Sequence, residues 1–261
     1  MSILERNDTG AIARLTLNAP DRLNALSDAM LAALQAEFER LSGDTSIRVI
    51  IIAGAGRAFC AGHDLKEITA KRAAPDNGAA GFKDLFDRCA SMMQTIPRLS
   101  QPVIAEVHGL ATAAGCQLVA SADLAIAADD ARFGVNGVNI GLFCSTPMVA
   151  LSRNIPRKKA FEMLTTGQFI SAETAAEVGL INKAVPPAEL TKATTEMAEL
   201  IASKLGSAVK IGKSAFYDQI QMPLDQAYAF TGDVIVENLA NKDTEEGIQA
   251  FLEKREPNWT Q

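Results

Sequence analysis

The chain has 261 residues, of which 48% are hydrophobic and 21% charged, a composition typical of a soluble globular protein with one large core. Its formal net charge of −6 argues against a nucleic-acid surface, which needs clustered Lys and Arg. No apolar run approaches membrane-spanning length. We therefore expect neither a nucleic acid nor a membrane as a partner.

The cysteines and the N-terminus bear on the cellular compartment. The four cysteines, which show no paired spacing, are Cys60, Cys89, Cys116 and Cys144. Such spacing is typical of reduced thiols. The opening Met-Ser-Ile-Leu-Glu-Arg-Asn-Asp matches neither a signal-peptide nor a transit-peptide pattern. These features predict a cytoplasmic protein, and two histidines are too few for a His-rich metal site, so we expect no metal.

Short strands alternate with helices up to about residue 186, and helices follow. Ser27 is placed to cap a helix that extends to about Leu41. Strands are predicted at 12–17, 49–53, 103–107, 124–128 and 181–185. Further helices are predicted at 82–99, 113–120, 156–165, 188–205, 207–221, 224–240 and 244–255, with one starting at Ser171. Residues 69–80 are polar and small, which predicts a mobile loop over a site.

Two small-residue turns each follow a predicted buried strand and open a helix. The first is Arg57–Glu67, after strand 49–53, and the second is His108–Gly115, after strand 103–107. A helix N-terminus presents free backbone N–H groups and partial positive charge, so it suits an anion or a developing oxyanion. If the two turns faced one another, two N–H groups would converge on one carbonyl oxygen. That geometry stabilises a thioester enolate.

An ordered series of short motifs extends over nearly the whole chain. Its members include Asn24-Ala25-Leu26, residues 58–65, Gly115-Cys116, Arg132-Phe133-Gly134, Leu164-Thr165-Thr166-Gly167 and residues 250–255. The series resembles the enoyl-CoA hydratase/isomerase (crotonase) superfamily. The resemblance implies an α/β fold, with a crotonase-like ββα spiral (superhelix) core in residues 1–186 that binds acyl-CoA. It also implies a C-terminal helical trimerisation module in residues 187–261.

The same resemblance implies the ligand and the assembly. The substrate would be an acyl-CoA or enoyl-CoA thioester, with coenzyme A as part of the substrate and no permanently bound cofactor. The chain would form a homotrimer or a homohexamer. The backbone N–H groups of His63 and Ala114 would be the oxyanion donors.

The resemblance also assigns the CoA contacts. Lys66 would lie near the ribose phosphate, which a lysine suits well. Phe251 and Lys254 would cover the nucleotide, often from a neighbouring subunit. The full implied set is Arg22, Leu23, Ala25, Ala61, His63, Asp64, Leu65, Lys66, Ala114, Gly115, Phe251 and Lys254.

The sequence departs from the family pattern at both glutamates that hold and activate water. Gln117 stands at the first position and Gly137 at the second. Neither can exchange a proton near neutral pH, and general acid–base groups contribute roughly 10² to 10⁴ in rate. We therefore expect a nominal enoyl-CoA hydratase/isomerase whose hydration is weak or absent. A glutamate could not be restored at Gly137 if its backbone needs φ > 0.

Other side chains could replace the missing carboxylates, namely Cys144, Ser145 and His63, with Asn136 and Asn139 as further candidates. Cys144 would be a nucleophile only if its pKa were lowered. Residues 143–146 could instead form a turn in which Ser145 or Thr146 caps the next helix. The His63 side chain could face the thioester or point outward. Two alternative functions follow: a different thioester reaction, either isomerisation or hydrolysis, and non-catalytic acyl-CoA binding.

Overall fold

The computed structural model describes residues 2–260 as a mixed α/β fold. The strands are β1 (Leu4–Thr9), β2 (Ile12–Leu17), β3 (Val49–Gly54), β4 (Val103–Val107), β5 (Leu110–Thr112), β6 (Leu124–Ala128), β7 (Arg132–Gly134), β8 (Ile170–Ser171) and β9 (Lys183–Val185). The helices are α1 (Asp28–Ser42), α2 (Leu65–Lys71), α3 (Ala79–Thr95), α4 (Ala114–Ser121), α5 (Pro147–Asn154), α6 (Arg157–Thr166), α7 (Ala172–Glu177), α8 (Leu190–Ala202), α9 (Gly206–Gln219), α10 (Leu224–Leu239) and α11 (Lys242–Glu253).

The strands form two sheets. The larger has the order β1-β2-β3-β4-β6-β9, with β1 and β2 antiparallel and the remaining pairs parallel. The smaller has the order β5-β7-β8. The chain places β4 and β6 in the larger sheet and the strands that follow them, β5 and β7, in the smaller. Each such strand pair is one turn of a spiral, as the resemblance implied.

Local sequence signals place most helix starts correctly. The Ser27 hydroxyl accepts a hydrogen bond from the Met30 N–H at 3.2 Å, and the Ser171 hydroxyl accepts one from the Thr174 N–H at 3.1 Å. These side chains satisfy N–H groups that a helix start leaves unpaired. The predicted helices at 27–41 and after Ser171 are therefore confirmed.

The prediction of a loop over residues 69–80 is wrong in its extent. Helix α2 continues to Lys71 and α3 already begins at Ala79, so the connection is only residues 72–78. The Asp76 carboxylate accepts hydrogen bonds from the Gly78 and Ala80 N–H groups, at 3.0 and 2.8 Å. This cap starts α3 three residues before the predicted Phe82.

The main core lies between the sheets and helices α1, α3 and α4, and its largest fully buried side chains include Phe38, Phe59 and Phe133. Helix α8 covers the other face of the larger sheet, where Ala198 packs with Val49 and Ile104. The domain boundary between residues 186 and 187 stays a prediction, with α8 beyond it packed on the sheet.

A buried ion pair joins α9 to the core. The Lys213 ammonium donates to the Asp123 carboxylate at 2.6 Å and to the carbonyl oxygens of Ile96 and Gln101. The Tyr217 hydroxyl donates to the other Asp123 oxygen at 2.7 Å. Burial lowers the pKa of Lys213, although the Asp123 charge opposes that shift.

Within residues 2–260, no helix has the length and apolar character needed to cross a membrane.

Candidate functional site

The two predicted turns meet because of one parallel backbone pairing. Cys60 pairs with Ala111 of β5: the Cys60 N–H donates to Leu110 O and the Thr112 N–H donates to Cys60 O. Parallel neighbours stay in step, so the residues that follow each partner also lie side by side. The pairing therefore brings Gly62 close to Ala113, directly before the candidate donors His63 and Ala114 in their two turns.

The contact at Gly62 shows how closely the turns approach. A methyl group on Gly62 would lie 2.9 Å from the Ala113 Cβ and 3.3 Å from the Ala114 nitrogen. Gly62 also has φ +89°, which L-residues rarely adopt. In the described residues, no acceptor is recorded for the N–H groups of His63 and Ala114. Two unpaired donors thus stand on adjoining turns.

Ala113 has an unusual backbone conformation, with φ 51° and ψ −120°. This region is costly for a residue with a Cβ. The Ala113 N–H donates to Gly134 O at 2.9 Å, and its carbonyl accepts from the Gln117 N–H at 3.0 Å. The strained residue thus lies at the start of α4, directly before the candidate donor Ala114. Sequence reasoning missed this strain, because nothing in the local sequence distinguishes Ala113 from the other small residues of the turn.

The first turn is also held by the loop at 19–26, which Asn24 anchors. Its side chain accepts from the Ala19 N–H and donates to the carbonyls of Ala55 and Ala58, at 2.7–2.9 Å. The Ala61 N–H donates to Leu23 O, and the Leu26 N–H donates to Gly62 O. Asn24 is fully buried and carries φ 53°. The side-chain hydrogen bonds of Asn24 thus explain the presence of the Asn24-Ala25-Leu26 motif, which the sequence alone did not explain.

The His63 side chain turns inward, toward α3. Its ring packs edge-on against Phe86 with centroids 5.3 Å apart, and Nδ1 lies 3.3 Å from Leu26 O. Burial lowers the pKa of His63. The Nε2 atom is buried and has no hydrogen-bond partner within residues 2–260. The alternative in which this side chain points outward is therefore wrong, because the ring is enclosed by α3 and residue 26.

The two positions where the family carries glutamates are enclosed. Gln117 is 5% exposed, and its Oε1 has no hydrogen-bond partner among the described residues. Gly137 lacks a positive φ, but a Cβ there would collide with Leu142 O and lie 2.8 Å from the Cys144 sulfur. A side chain at 137 is thus excluded by packing, which corrects the expectation that a positive φ would exclude it.

Cys144 and Ser145 occupy different environments. Burial raises the pKa of Cys144, so the thiol form predominates at neutral pH. Ser145 is exposed, and its hydroxyl donates to Phe143 O at 3.4 Å. Thr146 is the N-cap residue of α5, which starts with Pro147, but its side chain makes no capping hydrogen bond. The predicted cap is therefore confirmed in its position and wrong in its side-chain hydrogen bond.

His108 has a structural contact, since its Nε2 lies 2.9 Å from Gly56 O. In the described part of the chain, no three His, Cys, Asp or Glu side chains cluster in a way that could hold a metal ion.

The sequence pattern of the enoyl-CoA hydratase/isomerase family matches residues 7–261. The chain belongs to this family. It is 49% identical over 249 residues to "Enoyl-CoA hydratase domain-containing protein 3, mitochondrial" of Xenopus laevis, covering 95% of this chain and 83% of that protein. It is 47% identical to the human protein of the same name, covering 95% and 80%. The resemblance stated from the motifs is confirmed.

A solved structure agrees over the whole fold. The enoyl-CoA hydratase of Mycobacterium smegmatis superposes with a TM-score of 0.95 at 50% identity, covering 99% of both chains.

The expectation of a cytoplasmic protein is contradicted, because the names of the Xenopus and human relatives place those proteins in mitochondria. Its premise was weak, since reduced cysteines indicate a reducing compartment and do not single out the cytosol.

The CoA contacts implied by family membership fall into two groups. The loop that carries Arg22, Leu23 and Ala25 is joined to residues 61–66 by two backbone hydrogen bonds, from the Ala61 N–H to Leu23 O and from the Leu26 N–H to Gly62 O. Arg22 donates to the Asp64 carboxylate at 3.0 Å, and Asp64 also caps α2 by accepting from the Lys66 N–H. The side chains of Leu65 and Lys66 are exposed, and the Lys66 ammonium has no ion-pair partner within residues 2–260.

Phe251 and Lys254 form the second group. Helix α11 packs against α10, and Phe251 is 82% exposed. No hydrogen bond or ion pair recorded for the described residues links α11 to residues 20–67 or 110–121. Within a single chain, Phe251 and Lys254 therefore do not meet the CoA-contact residues of the first group. Their role in covering the nucleotide stays a prediction.

Proposed function

We propose that this chain binds acyl-CoA or enoyl-CoA thioesters and polarises the thioester carbonyl with the N–H groups of His63 and Ala114. The observation that carries the proposal is the contact of Gly62 with Ala113 and Ala114, which sets two unpaired donors side by side. Each N–H donor of such a site increases the reaction rate about 10²- to 10³-fold. The family relatives named as enoyl-CoA hydratases support the ligand class.

The chemistry proposed is thioester enolate stabilisation with little hydration. Gln117 and Gly137 supply no proton-transferring group, and packing at Gly137 leaves no room for one. A different thioester reaction would have to use Cys144, Ser145 or His63. Cys144 stays protonated, and Ser145 has no base among its recorded partners in the described chain.

Non-catalytic binding of acyl-CoA is the second candidate. Two of the candidate catalytic side chains are uncharged at neutral pH, because burial lowers the pKa of His63 and raises that of Cys144. A site without an ionisable group ready for proton transfer can polarise a carbonyl without completing a reaction. Turnover of a panel of acyl- and enoyl-CoA thioesters separates the two candidates.

The substitution Ala114→Pro tests the oxyanion role directly, because proline removes one N–H. Ala114 is the first residue of α4, a position that proline tolerates. With butyryl-CoA labelled with ¹³C at the carbonyl, we expect the wild type to lower the carbonyl stretching frequency and the variant to lose most of that shift. Lys242→Pro, at the first position of remote α11, is the matched control. An unshifted carbonyl in bound wild-type complex would refute the proposal.

Lys66→Ala tests the CoA contact. A charge-assisted contact to phosphate contributes about 1–3 kcal/mol, so we expect roughly five- to 150-fold weaker binding of acetyl-CoA in calorimetry. The melting temperature should stay unchanged, since the Lys66 side chain is exposed and unpaired. Lys158→Ala, another exposed lysine, is the control. Lost thermal stability with unchanged affinity would make Lys66 structural.

We further propose that the chain assembles as a trimer or hexamer through its C-terminal helices. The helices α10 and α11 expose large apolar side chains: Leu224, Tyr228, Ile235, Val236, Leu239, Phe251 and Leu252. Contiguous apolar surface of this kind is typical of interaction sites. Sedimentation velocity should give a trimer or hexamer for the wild type and smaller species for Val236→Glu. A monomeric wild type would contradict the proposal.

A further inference from the structure

Residues 255–260, which we call the C-terminal tail, fold back along α11. The Arg255 guanidinium donates to both oxygens of the Glu246 carboxylate, at 2.7 and 2.9 Å, and the Asn258 N–H donates to the first of these oxygens at 2.8 Å. The Arg255 hydrogen bond is the largest cause that lowers the pKa of Glu246, to about 2, so this carboxylate is charged at neutral pH. A bidentate, charge-assisted pair therefore joins the start of the tail to the helix.

The end of the tail lies along one side of α11. The N–H and the hydroxyl of Thr260 donate to the Asp243 carboxylate at 2.9 and 2.7 Å, and Asp243 is 4% exposed. The Trp259 indole packs on Gly247, where a methyl group would meet two ring carbons at 3.0 and 3.1 Å. Asp243 and Gly247 are four residues apart and so share one side of the helix. The absence of a side chain at Gly247 thus makes room for the indole.

Lys254, which lies between α11 and the tail, has a backbone conformation that favours glycine. Its φ is 57°, its N–H donates to Phe251 O, and the Arg255 N–H donates to Ala250 O. Helices that end in this pattern usually carry glycine at the left-handed position, because a Cβ is costly there. No ion pair is recorded for the Lys254 ammonium within residues 2–260. A strained backbone at an unpaired charge points to a use for that charge.

Phe251 and Lys254 lie at the end of α11 that the tail contacts. Near its start, α11 is joined to α10 by the Asn238 side chain, which donates to the Thr244 hydroxyl at 3.5 Å. Farther along, Gly247 contacts the tail. Phe251 follows Gly247 by about one helical turn and is 82% exposed. The tail therefore holds this part of the helix and leaves the Phe251 ring free for a ligand.

Resting on the proposed function, we infer that Trp259 is a positioning residue for the nucleotide of CoA. By packing on Gly247, the indole holds the tail against α11 and fixes the orientation of Phe251 and Lys254. Trp259 itself touches no ligand. Because α11 does not meet the first group of CoA contacts within one chain, the nucleotide concerned is bound by a neighbouring copy. The effect of Trp259 is thus confined to the nucleotide half of the ligand.

Calorimetric titration of Trp259→Ala with acetyl-CoA and with acetylpantetheine, a thioester that lacks the nucleotide, tests this inference. We expect acetyl-CoA to bind at least about fivefold more weakly than to the wild type, because a misplaced lysine weakens a charge-assisted contact. The affinity for acetylpantetheine should stay unchanged. Trp259→Phe, which keeps an aromatic ring on Gly247, should recover most of the loss. Glu256→Ala, which changes an exposed side chain of the tail, is the matched control.

A second variant, Gly247→Leu, displaces the indole without removing it. Leucine is a good helix former, so a loss of CoA affinity in this variant comes from the tail and not from a weakened α11. Trp259 is the single tryptophan of the chain, and its fluorescence emission should shift to longer wavelength as the half-buried ring enters water. A wild-type emission already equal to that of free tryptophan would show that the tail does not lie on α11, contrary to the inference.

Three further results overturn the inference and leave the proposed function standing. The first is an unchanged affinity of Trp259→Ala for acetyl-CoA. The second is an equal loss of affinity for both thioesters, which a general loss of structure would give. The third is a smaller assembly of Trp259→Ala in sedimentation, which would make the tail an element of assembly. Failure of the wild type to bind acetyl-CoA contradicts the proposed function itself.

Discussion

Gly137 shows how packing around one residue limits the chemistry of the site. With Gln117 also lacking a proton-transferring group, we predict crotonyl-CoA hydration at least about 10³-fold below a glutamate-bearing relative. Gln117→Glu should recover little, because the paired carboxylates act on one water as a unit. A turnover on the order of 10² per second by the wild type would show that another residue transfers the proton.

The substitution Gly137→Glu is expected to destabilise the protein and to restore no activity. Its Cβ would collide with the Leu142 carbonyl and press on the Cys144 sulfur at 2.8 Å. Because the first obstacle is backbone, relaxation is costly. Even Gly137→Ala should lower the midpoint of urea unfolding. Gly212→Ala, with open space around its Cβ in α9, is the control and should not lower it.

Ala113 offers a second prediction at the scale of one residue. Its backbone, at φ 51° and ψ −120°, costs about 1–3 kcal/mol for a residue with a Cβ, and glycine relieves most of that cost. Ala113→Gly should therefore raise the unfolding free energy by about 1 kcal/mol in urea titration. Ala111→Gly, in neighbouring β5 with ordinary φ, should lower it. A destabilised Ala113→Gly would mean that the methyl group's packing outweighs the strain.

Asp28 joins three helices around the candidate site. At the start of α1, its carboxylate accepts hydrogen bonds from Lys71 of α2 and from Arg88 of α3. The Lys71 hydrogen bond is the largest cause that lowers the pKa of Asp28 below its ordinary 3.8, and the Arg88 hydrogen bond adds to it. A carboxyl whose pKa is lower in the folded state stabilises that state above its unfolded pKa. That stabilisation is lost as pH falls through the folded value.

We therefore predict that α2 and α3 loosen in acid, below about pH 4. Pepsin cleavage in the connection at 72–78 should rise there faster than in the rest of the chain. Asp28→Asn should already show faster cleavage of that connection by a neutral protease at pH 7. Asp87→Asn, which removes an exposed ion pair within α3, is the control. Equal cleavage of all three proteins would contradict this role of Asp28.

For the whole molecule, the Lys213–Asp123 pair is a buried contact that joins α9 of the C-terminal helices to the core. Both side chains are mostly buried, at 6% and 12% exposure. Removing one partner of a buried pair leaves the other charge uncompensated, which costs about 3–5 kcal/mol. Lys213→Met should lower the unfolding free energy by about that amount in urea. Lys210→Met, on the same helix but more exposed, should change it little. A stable Lys213→Met would show that α9 is held by apolar packing alone.

The sequence by itself determined the local elements and the family, because caps, apolar runs and short motifs act within a few residues. The Ser27 cap, strand β3 and the helical end were all readable in this way. Only the tertiary structure decided which groups meet. The pairing of Cys60 with Ala111, the collision at Gly137 and the inward turn of His63 depend on contacts between distant segments. Such contacts depend on packing in three dimensions, which no local pattern encodes.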